Sequence, residues 1–445
     1  MSLTHQAHAD RDGSGRPLVR IALLGCGTVG SGVARLLIDP AAAVAVRSGI
    51  DFWLEAIAVR SVAKPRSAEI PSELFTEDAA RLVEDPQIHV VIECIGGTGV
   101  AATLVERALA NGKHVVTANK DLLATRGPEL RLLASRSGVT IQYEAAVGGA
   151  IPIVRTIADS LAGEHILEVG GVLNGTTNFI LGEMGAGASY ESALEQAQRL
   201  GYAEADPTND VEGIDTAHKL AILAQLAFRR ALVTPNVPRT GITKLGREDL
   251  SLAKRLDMTV KLVACARLGG SLVTPAYVRR SHPFAQGTGA QNCIRVMGQS
   301  SGSLTFAGTG AGSAPTASSV IGDVVAVLRH IETGIVVGAV ADHTLTNAWG
   351  VERTIPLRRI VRLVSLRDAR PAREALRSAG VAAEQCDGVP AILTTQALDA
   401  SNDDLRALLR AHDLAAESIL PLWEDLPAEA TVAPAQATAE ALSVR

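Results

Sequence analysis

The chain has 445 residues, enough for two to four domains, and its side chains are 47% hydrophobic but only 3% aromatic, so its cores must be built from Ala, Val, Leu and Ile. A formal net charge of −5 gives no electrostatic reason to expect nucleic acid as a partner, and no membrane is expected because no run of about 18 uncharged apolar residues is present. The polar start lacks the apolar stretch of a secretory signal, and five cysteines without metal-ligand spacing (Cys26, Cys94, Cys265, Cys293 and Cys386) are expected as reduced thiols of a cytoplasmic protein.

Residues 1–17 read as a disordered tail. Residues 18–24 form an apolar strand, followed by Gly25-Cys26-Gly27-Thr28-Val29-Gly30 and a helix over 31–38. Further strands are expected at 54–59, 90–95, 114–118 and 140–144, with a helix at 103–110 stopped by Asn111-Gly112. Strands apolar on both faces that alternate with helices predict a parallel sheet covered by helices, an α/β domain of Rossmann type over 18–145. From 146 to 310 the texture changes: a strand-like run at 166–173 and a long helix after Asp210 predict an α+β domain. Residues 311–340 predict a helix centred on 316–331, and 339–353 a polar linker. The order strand 359–366, helix 372–378, strands 381–385 and 391–395, helix 403–412 and strand 419–423 spells βαββαβ, a ferredoxin-like unit within 354–427, ahead of a second tail at 428–445.

The triplet Gly25, Gly27 and Gly30 fits a dinucleotide fingerprint, and its placement between the first strand and first helix is what gives the match meaning. The second strand ends at Arg60, with Lys64 and Arg66 close behind, where an NAD enzyme would carry a carboxylate. Cations there suit the 2′-phosphate of NADP, with NAD use left open; the bland alternative is a solvated basic loop. Lys120 follows another strand, at an end that faces the ligand crevice, although an exposed loop lysine is an equal reading. The segment from Glu144 to Ile151 is glycine-rich and frees backbone carbonyls, so with one carboxylate it could hold a monovalent cation; by itself a domain hinge reads as well.

The most informative stretch is 201–219. A Gly/Asp/Pro-rich loop carrying Glu204 runs into a helix in which Asp215 and Lys219 stand four residues apart on one face. The helix continues almost wholly apolar, so its first turns bring a carboxylate and an ammonium to the mouth of a core. On spacing alone a surface ion pair is the commoner case. Burial would disfavour the lysine's charge and Asp215 would favour it, and the sequence leaves the balance open.

Taken together, residues 143–152, 173–179, 201–207 and 212–219, with Gly308-Thr309-Gly310-Ala311-Gly312 and Pro315-Thr316-Ala317, resemble homoserine dehydrogenase, over about 18–331 and in the expected order. The resemblance implies a reversible NAD(P)-dependent interconversion of L-homoserine and L-aspartate 4-semialdehyde in threonine and methionine biosynthesis. It implies that Lys219 is the acid/base group with Asp215 as its partner, that Glu204 binds the substrate ammonium, and that Asn174, Gly175, Thr176 and Thr177 line the substrate pocket. Lys120, Thr98 and Gly312 would meet the cofactor beside Gly25, Gly27, Thr28, Val29, Gly30, Arg60 and Lys64. Glu144, Val147, Gly149 and Ile151 would supply a sodium or potassium site, mostly through carbonyls. The α+β domain becomes a substrate-binding and dimerisation domain, and a homodimer or homotetramer is expected.

Two departures stand out. Gly99-Val100 follows Thr98 where a Glu-Pro pair is usual. The C-terminal unit resembles an ACT domain, but its first turn, 366–372, has no glycine to admit an amino-acid effector, so sensing is expected to be lost. Bifunctional relatives carry an aspartate kinase ahead of this unit, and none is expected in 17 residues. The rival functions are another NADP-dependent amino-acid aldehyde oxidoreductase and a nonenzymatic NADP-binding regulator; the trio Glu204, Asp215 and Lys219 speaks against the second, since a pure binder does not need it.

Overall fold

The computed structural model describes residues 10–11, 17–39, 41–66, 69–229, 237–334, 355–398 and 401–424. The expected linker at 339–353 and the tail at 428–445 lie outside the described residues, as does most of the tail at 1–17. Within that first segment the expectation of disorder fails at Asp10–Arg11, which pairs antiparallel with Pro17 and Leu18.

The first sheet has six parallel strands in the spatial order Phe75–Thr76, Asp51–Ala58, Pro17–Leu24, Val90–Glu93, His114–Thr117 and Ile141–Gln142. Numbered along the chain this is 3-2-1-4-5-6, the doubly wound order whose switch point lies between the first and fourth strands. The run Pro17–Leu24 is apolar on both faces because both are covered. Val19, Ile21 and Leu23 pack with Val33 and Leu37 of the helix Thr28–Ile38 and with Ala317, Val320 and Val324 of the helix Ser313–Thr333. Ala22 and Leu24 face the other way, into a core with Val105 and Leu109 of the helix Val100–Ala110. The returning helix crosses the first helix at Gly32, where a Cβ would lie 2.9 Å from Ser313 Oγ and 3.1 Å from the Ala317 methyl.

The second sheet is larger than the sequence reading foresaw. Five antiparallel strands lie in the order Gly302–Thr309, Gln291–Gly298, Ile166–Val172, Met258–Arg267 and Gly270–Arg279. The βαββαβ unit (Arg359–Leu363, Ala369–Ser378, Ala383–Gln385, Ala391–Thr394, Asn402–Arg410 and Ala416–Trp423) has its strands in the order 4-1-3-2. It is not a detached module. Its last strand pairs in parallel with Gly270–Arg279 through Tyr277↔Leu422 and Val278↔Trp423, making one nine-stranded sheet. The pairing covers an edge that would otherwise expose unpaired backbone groups, and the fully buried Trp423 packs beside Phe284 with ring centroids 5.8 Å apart.

Candidate active site

The helix Ile214–Phe228 begins after Gly213, a left-handed residue with φ +75° that lies under Val273. Its apolar body, Leu220 to Leu226, is buried, which drags the first turn inward and leaves Asp215 and Lys219 only 7% and 8% exposed. Lys219 Nζ lies 2.8 Å from Asp215 Oδ2 and donates to the Leu173 carbonyl at 2.9 Å. The surface-pair reading is thereby excluded by burial. Lys120, at the start of the helix Lys120–Arg136, reaches the other carboxylate oxygen at 3.2 Å. One carboxylate thus joins two ammonium groups from two layers of the protein. Burial pushes the Asp215 carboxyl up, but Lys219 and Lys120 together outweigh it and hold the group well below the usual carboxylate range. The same contact, against a smaller desolvation effect, raises Lys120.

The helix Gly175–Ala186 supplies the next groups. Asn174 is its N-cap: Oδ1 accepts from Thr177 N at 2.8 Å, which stabilises a helix by about 1 kcal/mol. Its Nδ2 donates to Asp215 Oδ2 at 2.9 Å and to Asp210 Oδ1 at 2.6 Å. Thr176 Oγ1 donates to the Tyr202 carbonyl at 2.6 Å, tying this helix to the loop that carries Glu204. Glu204 itself is exposed on that loop, and its carbonyl accepts from Gln198 at 3.1 Å. Asp210 was not singled out from the sequence, although it lies inside the same motif; burial first, and then Asp215, raise its carboxyl against the pull of Asn174. His218 was also missed: its Nδ1 lies 2.8 Å from Asp121 Oδ1, clasping the helix Ile214–Phe228 to the helix of Lys120.

The glycine turn is tightly packed at two of its three glycines and open at the third. Gly25 (φ +95°) donates to the Ala58 carbonyl at 2.9 Å, and a Cβ there would lie 2.7 Å from the Cys94 carbonyl oxygen. A Cβ on Gly30 would lie 2.1 Å from the Gly25 carbonyl oxygen, so no larger residue fits. Gly27 is the N-cap of Thr28–Ile38, has no side chain to cap the helix, and opens onto space with nothing within 4 Å. Thr28 is exposed and Val29 half-buried beside it. These features fit a dinucleotide pyrophosphate at a helix N-terminus. Arg60 and Lys64 stand exposed just past the second strand. Arg66 does not join them. Its guanidinium donates to the carbonyls of Lys64 and Ser61, both at 2.8 Å, and stacks on Phe75, so it shapes the basic loop from within. Thr98 is exposed on the loop after the fourth strand, whose start is pinned by Glu93 accepting from the Ile95 and Gly96 amides at 2.7 and 2.8 Å. Gly312 (φ +125°) is the N-cap of Ser313–Thr333, and Ser313 Oγ donates to the Thr28 carbonyl at 2.6 Å, bringing this turn to the fingerprint.

The expected cation segment needs one correction. The Glu144 carboxylate is occupied by protein: Oε1 accepts from Val154 N at 2.7 Å and Oε2 from Arg155 N at 2.9 Å, with the Arg155 guanidinium 3.8 Å away. Burial raises its carboxyl against those bonds. Asp323 completes the cluster, accepting from Glu144 N and from Arg155 Nη2, both at 2.8 Å. Burial pushes Asp323 up to about 7, against Arg155 and with help from Glu144. Among the described residues no group of three or more His, Cys, Asp and Glu is placed to hold a metal ion, no helix is long and apolar enough to cross a membrane, and the five cysteines are free thiols.

Comparison with known proteins agrees with this geometry. Residues 25–144 match the family described as homoserine dehydrogenase, NAD binding domain, and residues 152–325 the family described as homoserine dehydrogenase. The homoserine dehydrogenase of Bacillus subtilis is 42% identical over 322 residues, 71% of this chain and 74% of that one. That of Mycobacterium tuberculosis H37Rv is 45% identical over 322 residues, covering 70% and 73%. Among solved structures, a homoserine dehydrogenase from Thiobacillus denitrificans superposes with a TM-score of 0.84 at 33% identity, over 92% of this chain and 98% of its own. A hyperthermophilic archaeal homoserine dehydrogenase in complex with NADPH superposes with a TM-score of 0.61 at 26% identity, over 70% and 97%. The chain belongs to the homoserine dehydrogenase family, the NAD(P)-dependent oxidoreductases that interconvert L-homoserine and L-aspartate 4-semialdehyde.

Proposed function

We propose that this chain performs that interconversion with Lys219 as the group that moves the proton and Asp215 as the anchor that holds it. The observation that carries the reading is the Lys120–Asp215–Lys219 chain, in which Asp215 and Lys219 are buried and Lys120 is partly exposed. Two acceptors, Asp215 Oδ2 and the Leu173 carbonyl, engage the Lys219 ammonium, and a third N–H direction remains for the oxygen on C4 of the substrate. A bound nicotinamide supplies the hydride. Lys120 adds positive charge on the opposite side of Asp215, where an alkoxide-like oxygen would gain from it. Glu204, on a loop tied to Thr176, takes the substrate ammonium, and Asn174, Gly175, Thr176 and Thr177 form the pocket wall.

The finer assignments belong to the same proposal. The exposed Arg60 and Lys64 favour NADP over NAD through charge-assisted contacts with the 2′-phosphate, while Gly25, Gly27, Thr28, Val29 and Gly30 hold the pyrophosphate, with Thr98 and Gly312 flanking the ring side. A monovalent cation, sodium or potassium, would be held by the carbonyls of Glu144, Val147, Gly149 and Ile151 alone, at a turn where Gly148 and Gly149 both have positive φ. The free thiols suit a cytoplasmic protein. A homodimer or homotetramer is the expected assembly, and the domain limits 18–145, 146–310, 311–340 and 354–427 stand as the proposed division of the chain.

The test is spectrophotometric: NADPH consumption with aspartate semialdehyde, and NADP⁺ reduction with L-homoserine. Turnover of another amino-acid aldehyde in preference, or no turnover at all, would replace this reading with one of its rivals.

A further inference from the structure

Asn292 lies on the strand Gln291–Gly298, outside every motif that pointed to the reaction, and is completely buried. Its Nδ2 donates at 2.9 Å to the Leu173 carbonyl, the same oxygen that accepts from Lys219 Nζ at 2.9 Å. Its Oδ1 is buried and finds no partner among the described residues. A buried amide oxygen without a partner disfavours folding, and an apolar side chain of similar shape would avoid that penalty. Stability therefore does not account for an asparagine here; its donor half does.

The neighbouring turn is shaped around it. A Cβ on Gly310 would lie 2.1 Å from Asn292 Cγ and 2.1 Å from its Nδ2, so the glycine leaves the space this amide fills. The bonded groups also form a closed circuit. Lys219 binds Asp215 Oδ2, Asp215 Oδ2 accepts from Asn174 Nδ2, Asn174 follows Leu173 in the chain, and the Leu173 carbonyl returns to Lys219. Leu173 sits at the joint between the strand Ile166–Val172 and the N-cap of the next helix, where no ladder of a regular element holds its carbonyl. Asn292 enters from outside the circuit and fixes that carbonyl.

We propose that Asn292 is a positioning residue for the reaction: by fixing the Leu173 carbonyl it sets the direction of the Lys219 N–H left for substrate, and Gly310 is small so that it can. The proposal rests on the assignment of Lys219 as the proton-moving group.

The informative variant is Asn292→Leu, which keeps the branched shape, with a somewhat larger volume, and removes both the donor and the orphan oxygen. It is expected to melt no lower than wild type, to lose about tenfold or more in kcat, and to leave KM for NADPH unchanged. The kinetic isotope effect with NADPH deuterated at the transferred position should rise, because the hydride step becomes slower; a smaller folded fraction would lower the rate without moving the isotope effect. Gly310→Ala should produce the same defect by displacing the amide, and adding it to Asn292→Ala should cost no more than about threefold further. Wild-type kcat in Asn292→Leu, an unchanged isotope effect, or losses from Gly310→Ala and Asn292→Ala that multiply would each overturn the proposal. Lys219→Ala run in parallel separates the two readings: if it retains near wild-type turnover, the Lys219 assignment has failed, whereas an inactive Lys219→Ala beside a fully active Asn292→Leu refutes the role of Asn292 alone.

Discussion

Lys120 and Asp215 meet at 3.2 Å, the first from the layer that holds the nucleotide fold and the second from the layer that holds the substrate motifs. The contact places the Asp215 carboxylate between two cations and makes the site a product of both layers. Its consequence is that Asp215 keeps its charge throughout the neutral range, so the lysines always have their counter-ion.

Lys219→Ala should lower kcat by several orders of magnitude, the equivalent of about 4 kcal/mol or more of transition-state stabilisation, while NADPH binding measured by fluorescence titration stays nearly intact. The side chain touches Asp215 and Leu173 and no residue of the glycine turn. Turnover within about tenfold of wild type would remove Lys219 from the mechanism.

Asp215→Asn leaves two lysines at the site without their carboxylate. Breaking a buried pair from one side typically costs about 3–5 kcal/mol, so both stability and turnover should fall, and the melting temperature should drop measurably against wild type. An unchanged melting curve would mean that the pair is better solvated than its burial implies.

Arg60→Ala should raise KM for NADPH about tenfold and leave KM for NADH little changed, because only NADPH carries the 2′-phosphate. Equal effects on both cofactors would assign the basic loop a structural role, such as the one Arg66 already fills through its bonds to Ser61 and Lys64.

Asp323 makes a statement about pH. The folded protein keeps its proton up to about pH 7, whereas the unfolded chain releases it near the ordinary carboxyl value of 3.8. Between those values the folded state binds more protons, so this group's contribution to stability is full at low pH and is lost as pH rises towards 7. Asp323→Asn removes the slope. The melting temperature of the variant relative to wild type should therefore climb as pH is raised from about 4 to about 8. A difference that stays flat would show that Asp323 is ionised across the range, with Arg155 outweighing its burial.

L-threonine at millimolar concentration should inhibit the full-length protein weakly or not at all. The turn after the first strand of the βαββαβ unit is closed by its own side chains: Ser365 N donates to Asp368 Oδ2 at 3.2 Å and Arg367 N to Ser365 Oγ at 3.1 Å. Arg367 and Arg370 are exposed, so the feature that would keep an effector out is the capping box of Ser365 and Asp368. Strong inhibition at sub-saturating homoserine, abolished by deleting the unit, would overturn this expectation.

Local patterns were sufficient for much of the architecture. Strands such as Pro17–Leu24 announce themselves because a buried parallel strand must be apolar on both faces, and the glycine turn because Gly25 and Gly30 admit no Cβ. The βαββαβ order was legible for the same reason, since each of its short elements carries its own periodicity. Other elements were passed over despite a signal: the hairpin of Met258–Arg267 and Gly270–Arg279 turns at Leu268-Gly269, and the helix Lys120–Arg136 is obscured by Gly127 and Pro128 in its middle. The amino-acid order determined which side chains could do chemistry, placing Asp215 and Lys219 one helical turn apart. Only the tertiary structure decided that they are buried, that Lys120 completes them, that the Glu144 carboxylate is already taken, and that Asn292 stands behind the Leu173 carbonyl. Those facts depend on contacts that reach from 10 positions, between Glu144 and Val154, to 119 positions, between Leu173 and Asn292, and on how much water each site excludes, and neither quantity is written in local spacing.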